Sequence, residues 1–308
     1  MKARDWDAVV DFMVWGSEFS EVMPLLLDNT RQYVFLSSSR VYAQSDLPIT
    51  EETPRLLDVC GDEEYLSTNE YALAKAREED LLRRSGKMNY TIMRPYITYN
   101  TQRLQLGVLE KENWLYRALR GRSIVFSQDI ASKLTTLTWG DDVAKGISSI
   151  IGNKNAFGEA FHVTYSKPIL WSDVLKIYIS VLEDYLGKKI KVVFTKNSLN
   201  LRLPHRKWQV LYCRLFNHTY DNTKISGYCD LSRFISPQEG LTRSLKEFLK
   251  KPSFSTVDWM IEALSDKAAN ERTPLGEIKG LTNKIYYLSY RYNLPFLRGL
   301  WVVLRKII

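Results

Sequence analysis

Short runs of β-branched and aromatic residues, separated by segments long enough for a helix, constrain this chain more than any other feature. Ala8–Val14, Tyr33–Ser38, Tyr90–Arg94 and Phe161–Thr164 are such runs. Between the second and third, the pattern predicts a helix over Glu70–Ser85. Asn69 stands where a cap is needed, Gly86 lies just past the end, and Arg83 and Arg84 suit the negative pole of the last turn. Asp141 and Asp142 open another helix through Val143, Ile147 and Ile150 to Gly152. Strands joined through helices lie parallel, with the helices covering the sheet faces. The expected fold class is α/β, a partial doubly wound parallel sheet.

Past residue 165 the pattern changes. Ser172–Leu186 reads as a capped amphipathic helix stopped by Gly187, followed by a basic strand over Lys189–Phe194. Leu199–Phe216 is rich in Leu, Trp and Arg but interrupted by Pro204, and Pro237 suits the first turn of a helix reaching Lys250. Asp266–Thr282, with Pro274, Gly276 and Gly280, reads as a linker. The expected organisation is a sheet-bearing core over 1–165, a smaller, mostly helical part over 166–265, and a linker with a tail over 266–308. With 45% apolar residues, such a chain can bury a sizeable core. Cys60, Cys213 and Cys229, odd in number and far apart, give neither a disulfide framework nor a paired zinc motif. No metal is expected, and neither a spanning helix nor a signal peptide is read; the expected setting is cytoplasmic.

The charge is unevenly placed. The net charge is +8, yet Lys284, Arg291, Arg298, Arg305 and Lys306 supply five of these charges within a tail lacking Asp and Glu. The remainder carries too little excess to signal nucleic acid, and no nucleic-acid partner is expected. Four tail cations recur every seven residues, an interval that drifts about 20° per repeat on a helix. Tyr286, Tyr287, Tyr290, Tyr292, Phe296 and Trp301 lie between them. One reading is a helix on 281–308 lying at the anionic inner face of a membrane. The other is a helix pair broken at Pro295 and packed on its own domain or a partner.

The chemistry is carried by Ser38, at the end of a strand, and by Tyr71-Ala-Leu-Ala-Lys75 on the predicted helix. Tyr71 and Lys75 are four apart, so they share a helix face. A free phenol ionises near pH 10 (about 10 in model peptides) and is a poor base at neutrality. A neighbouring ammonium favours the phenolate and brings it toward the working range. A serine hydroxyl beside it can hold a substrate oxygen while the proton moves. Hydride transfer at a carbinol carbon needs this set of groups. A Tyr-x-x-x-Lys pair alone is more often a packed ring with a solvated amine, so the surrounding motifs matter.

Those motifs are Tyr33-Val-Phe-Leu-Ser-Ser-Ser-Arg-Val-Tyr42, Pro48-Ile-Thr-Glu51-Glu-Thr-Pro54, Asn69-Glu-Tyr71 and Thr91-Ile-Met-Arg94-Pro95. Thr138-Trp-Gly-Asp141-Asp142-Val-Ala, Tyr220-Asp-Asn-Thr-Lys224 and Pro237-Gln-Glu-Gly240-Leu follow in order. From about Trp6 to about Lys250 the chain resembles the extended short-chain dehydrogenase/reductase superfamily, the NAD-dependent epimerases, dehydratases and reductases of nucleotide sugars. The resemblance implies a Rossmann-like core and NAD or NADP as cofactor. It also implies Ser38, Tyr71 and Lys75 as catalytic residues, with Lys75 on the ribose. Pro95 and Ile97 match the stretch flanking the nicotinamide; Ser39, Tyr96, Arg103 and Lys133 fall at substrate-binding positions. A nucleotide-sugar substrate, a role in surface polysaccharide synthesis and a homodimer paired through the Tyr71 helix are implied in the same way.

The departures are equally specific. Dehydratases of this group carry Asp-Glu after the catalytic hydroxyl, where this chain has Ser39 and Arg40, so epimerisation or reduction is the better match. No Gly-x-x-Gly-x-x-Gly turn occurs, Gly16 being followed next by Gly61, and Asp7–Phe12 aligns with the family's fourth strand. The expectation is therefore either an enzyme of this class or a non-catalytic sugar-nucleotide-binding or membrane-associated protein. Among other polar groups, Arg122 is read as a solvated charge, Glu51-Glu52 as a solvated loop and His162 as a core histidine. His205 and His218 lack ligand partners, and Arg202, His205, Arg206, Lys207 and Trp208 form a basic aromatic cluster.

Overall fold

The computed structural model describes residues 5–14, 16–198, 206–299 and 301. Four parallel strands form its main sheet in sequential order: β1 (Trp6–Asp11), β2 (Thr30–Leu36), β3 (Tyr90–Pro95) and β4 (Ala160–Val163). Each corresponds to a run seen in the sequence. β1 stops before Val14 because Asp11 turns the chain. Its Oδ1 accepts the Met13 and Val14 amides, both at 2.9 Å, while Oδ2 accepts the Tyr33 hydroxyl at 2.6 Å.

Every crossover carries a helix: α1 (Phe19–Asp28), α2 (Tyr71–Arg84) and α3 (Gly140–Ile150). Strand alternation divides the core between the two faces. Tyr33, Phe35, Tyr90 and Ile92 pack with Phe19, Met23, Leu26 and Leu27 of α1 and Leu82 of α2. Val34, Met93, Phe161 and Val163 pack with Val143, Ile147 and Ile150 of α3, closed by Ile225 and Phe234. The α2 cap is Glu70 rather than Asn69: its Oε2 accepts the Ala72 amide at 2.8 Å. Gly86 ends the helix with φ of 71°, a conformation that favours glycine.

A buried ion pair ties these elements together. Arg94 of β3 grips Glu79 of α2 with Nε on Oε1 (2.8 Å) and Nη2 on Oε2 (2.6 Å). Ser37, just past β2, donates to the same carboxylate at 2.6 Å. Burial alone would push the Glu79 carboxyl up, but Arg94, with Ser37 and Arg83, outweighs it and holds the group below the usual carboxylate range. His162 of β4 is a core histidine, as expected. Its Nε2 lies 2.7 Å from the Asp221 carbonyl, and Glu51 accepts its backbone amide at 3.0 Å. Glu51 is therefore not a solvated loop residue; its side chain is only 6% exposed.

The chain forms two compact units that interleave along the sequence. One comprises Met1–Asn100, Leu134–Leu170 and Leu211–Gly240, the other Thr101–Lys133, Trp171–Val210 and Leu241–Ile308. In the second, strands Ile124–Ser127 and Val192–Thr195 pair in parallel among helices. Asp266–Thr282 begins inside the helix Trp259–Ala269, and Asp266 is buried. Arg117 donates to Glu262 and Asp266 at 2.8 Å each and to Glu271 at 2.9 Å. The Tyr287 hydroxyl donates to Asp266 at 2.7 Å, anchoring the helix Leu281–Arg291. Arg122 is not solvated either, being buried with both Nη atoms on Glu277. Arg291 donates to the Glu271 carbonyl and Arg298 lies 4.6 Å over the Tyr290 ring. Arg202, His205, Arg305 and Lys306 lie outside the described residues. Among the described residues, no helix is long and apolar enough to cross a membrane.

Two outcomes follow. Glu79→Gln leaves the buried Arg94 without its counter-charge and is expected to lower urea stability by about 3–5 kcal/mol. Asp7→Asn, at an exposed pair with Arg31, is expected to change nothing measurable. Burial pushes the His162 imidazole below its usual range, against the pull of Glu51. The unfolded chain then takes up the proton first as pH falls through about 6.5, so this contribution is present above that value and lost below it. Urea midpoints should fall between about pH 7.5 and 5.5, and less steeply in His162→Gln.

Candidate active site

Ser38 follows β2 in extended conformation and opens the single turn Ser39–Val41, its Oγ accepting the Arg40 amide at 3.2 Å. Two anchors hold this segment against α2. Ser37 is bonded to Glu79, and the Arg40 guanidinium is paired with Glu70 at the helix start. Ser38 lies between them in sequence, as Tyr71 and Lys75 lie between Glu70 and Glu79. The chain thereby brings the end of β2 to the first two turns of α2. Glu70 also accepts the Tyr65 hydroxyl at 3.2 Å, so the same carboxylate caps the helix and fixes Arg40.

Tyr71 is the first helical residue and is 39% exposed, with the Arg40 guanidinium 5.4 Å from its ring centroid. Lys75, one turn on, is buried. Its Nζ lies 4.5 Å above the Phe35 ring centroid of β2 and 3.0 Å from Glu78 Oε2. Glu78 Oε1 accepts the Gly16 amide at 2.5 Å. The ammonium thus faces a carboxylate on its own helix, which offsets part of its field at neighbouring groups.

Ser39 turns inward; its hydroxyl donates to the Arg94 carbonyl at 2.6 Å and the residue is fully buried. Pro95 ends β3, half-buried, and Ile97 is buried in the short strand Ile97–Tyr99 that pairs with Leu137–Trp139. Tyr96 is also buried, stacked on His218 with centroids 4.4 Å apart. Arg103 and Lys133 belong to the second unit, Arg103 exposed and Lys133 half-buried. Gly240 explains its place in the Glu-Gly pair: a Cβ there would meet the buried Tyr99 hydroxyl at 2.0 Å.

No protein-family model matches the chain. Over 178 residues it is 26% identical to the chloroplast stem-loop binding protein of 41 kDa b of Arabidopsis thaliana, across 57% of this chain and 43% of that protein. The match thus spans less than half of that relative's length. UDP-glucuronic acid 4-epimerase of Bacillus cereus, solved with NAD, superposes with a TM-score of 0.55 at 19% identity, covering 79% of this chain and 75% of the other. dTDP-glucose 4,6-dehydratase of Bacillus anthracis str. Ames, also solved with NAD, gives 0.54 at 15% identity, over 80% and 73%. These likenesses show a shared fold, a Rossmann-type parallel α/β arrangement.

Within this fold, three charged residues at the site had no role in the sequence reading: Glu70, Glu78 and Arg40, the last noted only as a departure from the dehydratase pattern. Only Glu78 had a legible signal, standing three residues after Lys75 on a helix, a spacing at which opposite charges meet. Arg40 and Glu70 are 30 residues apart, and only the packing of the β2 end on α2 pairs them.

Lys75 and Glu78 are both buried, so their removal should be non-additive. In the cycle Lys75→Met, Glu78→Gln and the double variant, urea unfolding is expected to give a coupling energy of about 0.5–3 kcal/mol. A value near zero shows that the pair does not interact.

Proposed function

We propose that this chain is an NAD(P)-dependent epimerase or reductase acting on a nucleotide-activated sugar. One observation carries the reading. A hydroxyl at the end of β2 and a Tyr-x-x-x-Lys pair at the start of α2 lie on elements tied together by Ser37–Glu79 and Arg40–Glu70, in a fold whose solved examples include a UDP-glucuronic acid 4-epimerase bound to NAD. The residues at this end suit the nicotinamide riboside. Tyr71 is accessible while Lys75 is held in place one turn further on, and the half-buried Pro95 follows at the end of the adjoining strand.

A nicotinamide, when bound, accepts a hydride from the sugar carbon and can return it. The protein moves the proton. Tyr71, as phenolate, takes the proton of the sugar hydroxyl as the hydride leaves, and gives it back on reduction. Lys75 stabilises that phenolate and donates to ribose hydroxyls, with Glu78 setting where its ammonium sits. Ser38 donates to the reacting oxygen and fixes its distance from Tyr71. Ser39 and Arg40 stand where an elimination would need an acid and a base, which favours epimerisation or reduction over dehydration. Supply of sugars for surface polysaccharide is the role in which this reading places the reaction.

The test is calorimetric titration with NAD and with NADP, followed by incubation with UDP-hexoses and UDP-glucuronic acid. Micromolar cofactor affinity and product formation are expected. Tyr71→Phe should lose about 10²–10⁴-fold in turnover while keeping its cofactor affinity, whereas Lys75→Met loses both. No heat at millimolar cofactor overturns the reading. One relative supports a second reading, since its printed name is that of a stem-loop binding protein. A salt-sensitive gel shift with a hairpin RNA, in a chain that binds no nicotinamide, would favour it.

A further inference from the structure

The first unit holds a second cluster that the proton transfer does not use. Cys213 is 1% exposed and sits with Arg214 on a wide π-helical turn, Val210–Arg214. Arg214 Nη1 donates to Cys213 Sγ at 2.8 Å. The Tyr96 hydroxyl lies 3.5 Å from that sulfur and His218 Nε2 lies 3.6 Å from it. Tyr220 closes the group through its hydroxyl, 3.4 Å from His218 Nδ1.

Burial by itself pushes the Cys213 thiol up. The Arg214 guanidinium and His218 imidazole outweigh it, helped by Arg40, and pull the group down to about 5. A second observation points to a ligand. Thr135 Oγ1 is fully buried with no hydrogen-bond partner among the described residues, yet lies close enough to Tyr96 to favour its ionised form. A buried hydroxyl without a partner is costly unless a small polar molecule meets it.

We propose that Cys213 is a reversible oxidation site for a small hydroperoxide, bounded by Arg214, His218, Tyr96 and Thr135. The thiolate sulfur attacks one peroxide oxygen, so the S–O bond forms as the O–O bond breaks. The sulfur is oxidised by two electrons to the sulfenic acid, and the second oxygen leaves as hydroxide, which takes a proton from the buffer to become water. Arg214 stabilises the negative charge as it passes from sulfur to the departing oxygen. A low-molecular-weight thiol reverses the change. Its sulfur displaces water to form a mixed disulfide, and a second thiol then releases Cys213 with the oxidised disulfide as by-product. With Cys213 1% exposed, small reagents are favoured over bulky ones, hydrogen peroxide entering faster than the thiol.

The test treats the reduced full chain with hydrogen peroxide, removes the excess with catalase, unfolds the protein in dimedone and maps the adducts. Cys60 and Cys229 are internal controls, since both are more exposed than Cys213. Cys213 is expected to be labelled roughly ten-fold faster than either, while a bulky aromatic disulfide leaves it untouched in the folded chain. Arg214→Lys is expected to slow its labelling by about ten-fold, the single amine replacing a planar donor. Thr135→Val, nearly isosteric, should slow it several-fold and serves where Arg214→Lys does not fold. Labelling of Cys60 or Cys229 as fast as Cys213 overturns the proposal. So does attack of the bulky reagent on folded Cys213, or unchanged rates in the folded variants.

Discussion

The bidentate grip of Arg94 on Glu79 is the interaction on which the first unit depends. It joins β3 to α2 inside the fold, and Ser37 adds the end of β2 to the same carboxylate. Two charges taken out of water are costly when either stands alone and tolerable when paired in good geometry with the remaining valences filled. Here they are filled. Arg94 also reaches the Glu51 carbonyl at 3.3 Å, lies 4.8 Å over the Tyr42 ring, and offers its own carbonyl to Ser39. The Arg-Pro step that closes β3 is therefore a structural node before it is a landmark of any site.

The candidate site is placed by that node rather than by its own three side chains. Ser38 stands between two anchored neighbours, Ser37 held by Glu79 of α2 and Arg40 by Glu70 at its cap. Glu70 at the helix start and Glu79 near its middle bracket Tyr71 and Lys75. A hydroxyl from the strand end, a phenol on the first helical turn and an ammonium on the second are thus fixed by ion pairs on either side of them. Glu78 adds a restraint of its own, holding Lys75 while accepting the Gly16 amide from the loop after β1.

The second unit uses the same physics in another place. Arg117 and Arg122 are buried among Glu262, Asp266, Glu271 and Glu277, and Thr273 and Tyr287 fill valences on the acidic side. A polar stretch that reads as a linker is polar because its carboxylates and hydroxyls answer two arginines. Tyr287 is fully buried, and the helix that bears it is anchored by its aromatic residues as well as by the main-chain contact of Arg291.

The four strands of the main sheet and the helices α2 and α3 were legible in the sequence, because apolar runs and capped helices are local signals that need no partner to be read, whereas α1 was not read. Tyr71 and Lys75 were legible for the same reason: one helical turn separates them. Terminal glycines at 86, 152 and 187 marked helix ends through their positive φ. What the sequence alone could not decide was which charges are buried. Glu51, Glu79, Arg122 and Asp266 look like ordinary solvated residues until a partner tens of residues away is folded onto them. Only tertiary structure pairs Arg40 with Glu70 or sets Arg214, Tyr96 and His218 around one sulfur. Hydrogen bonds and ion pairs at long sequence separation leave no periodicity in the chain, and the cost of burying each charge is met only when the whole unit closes.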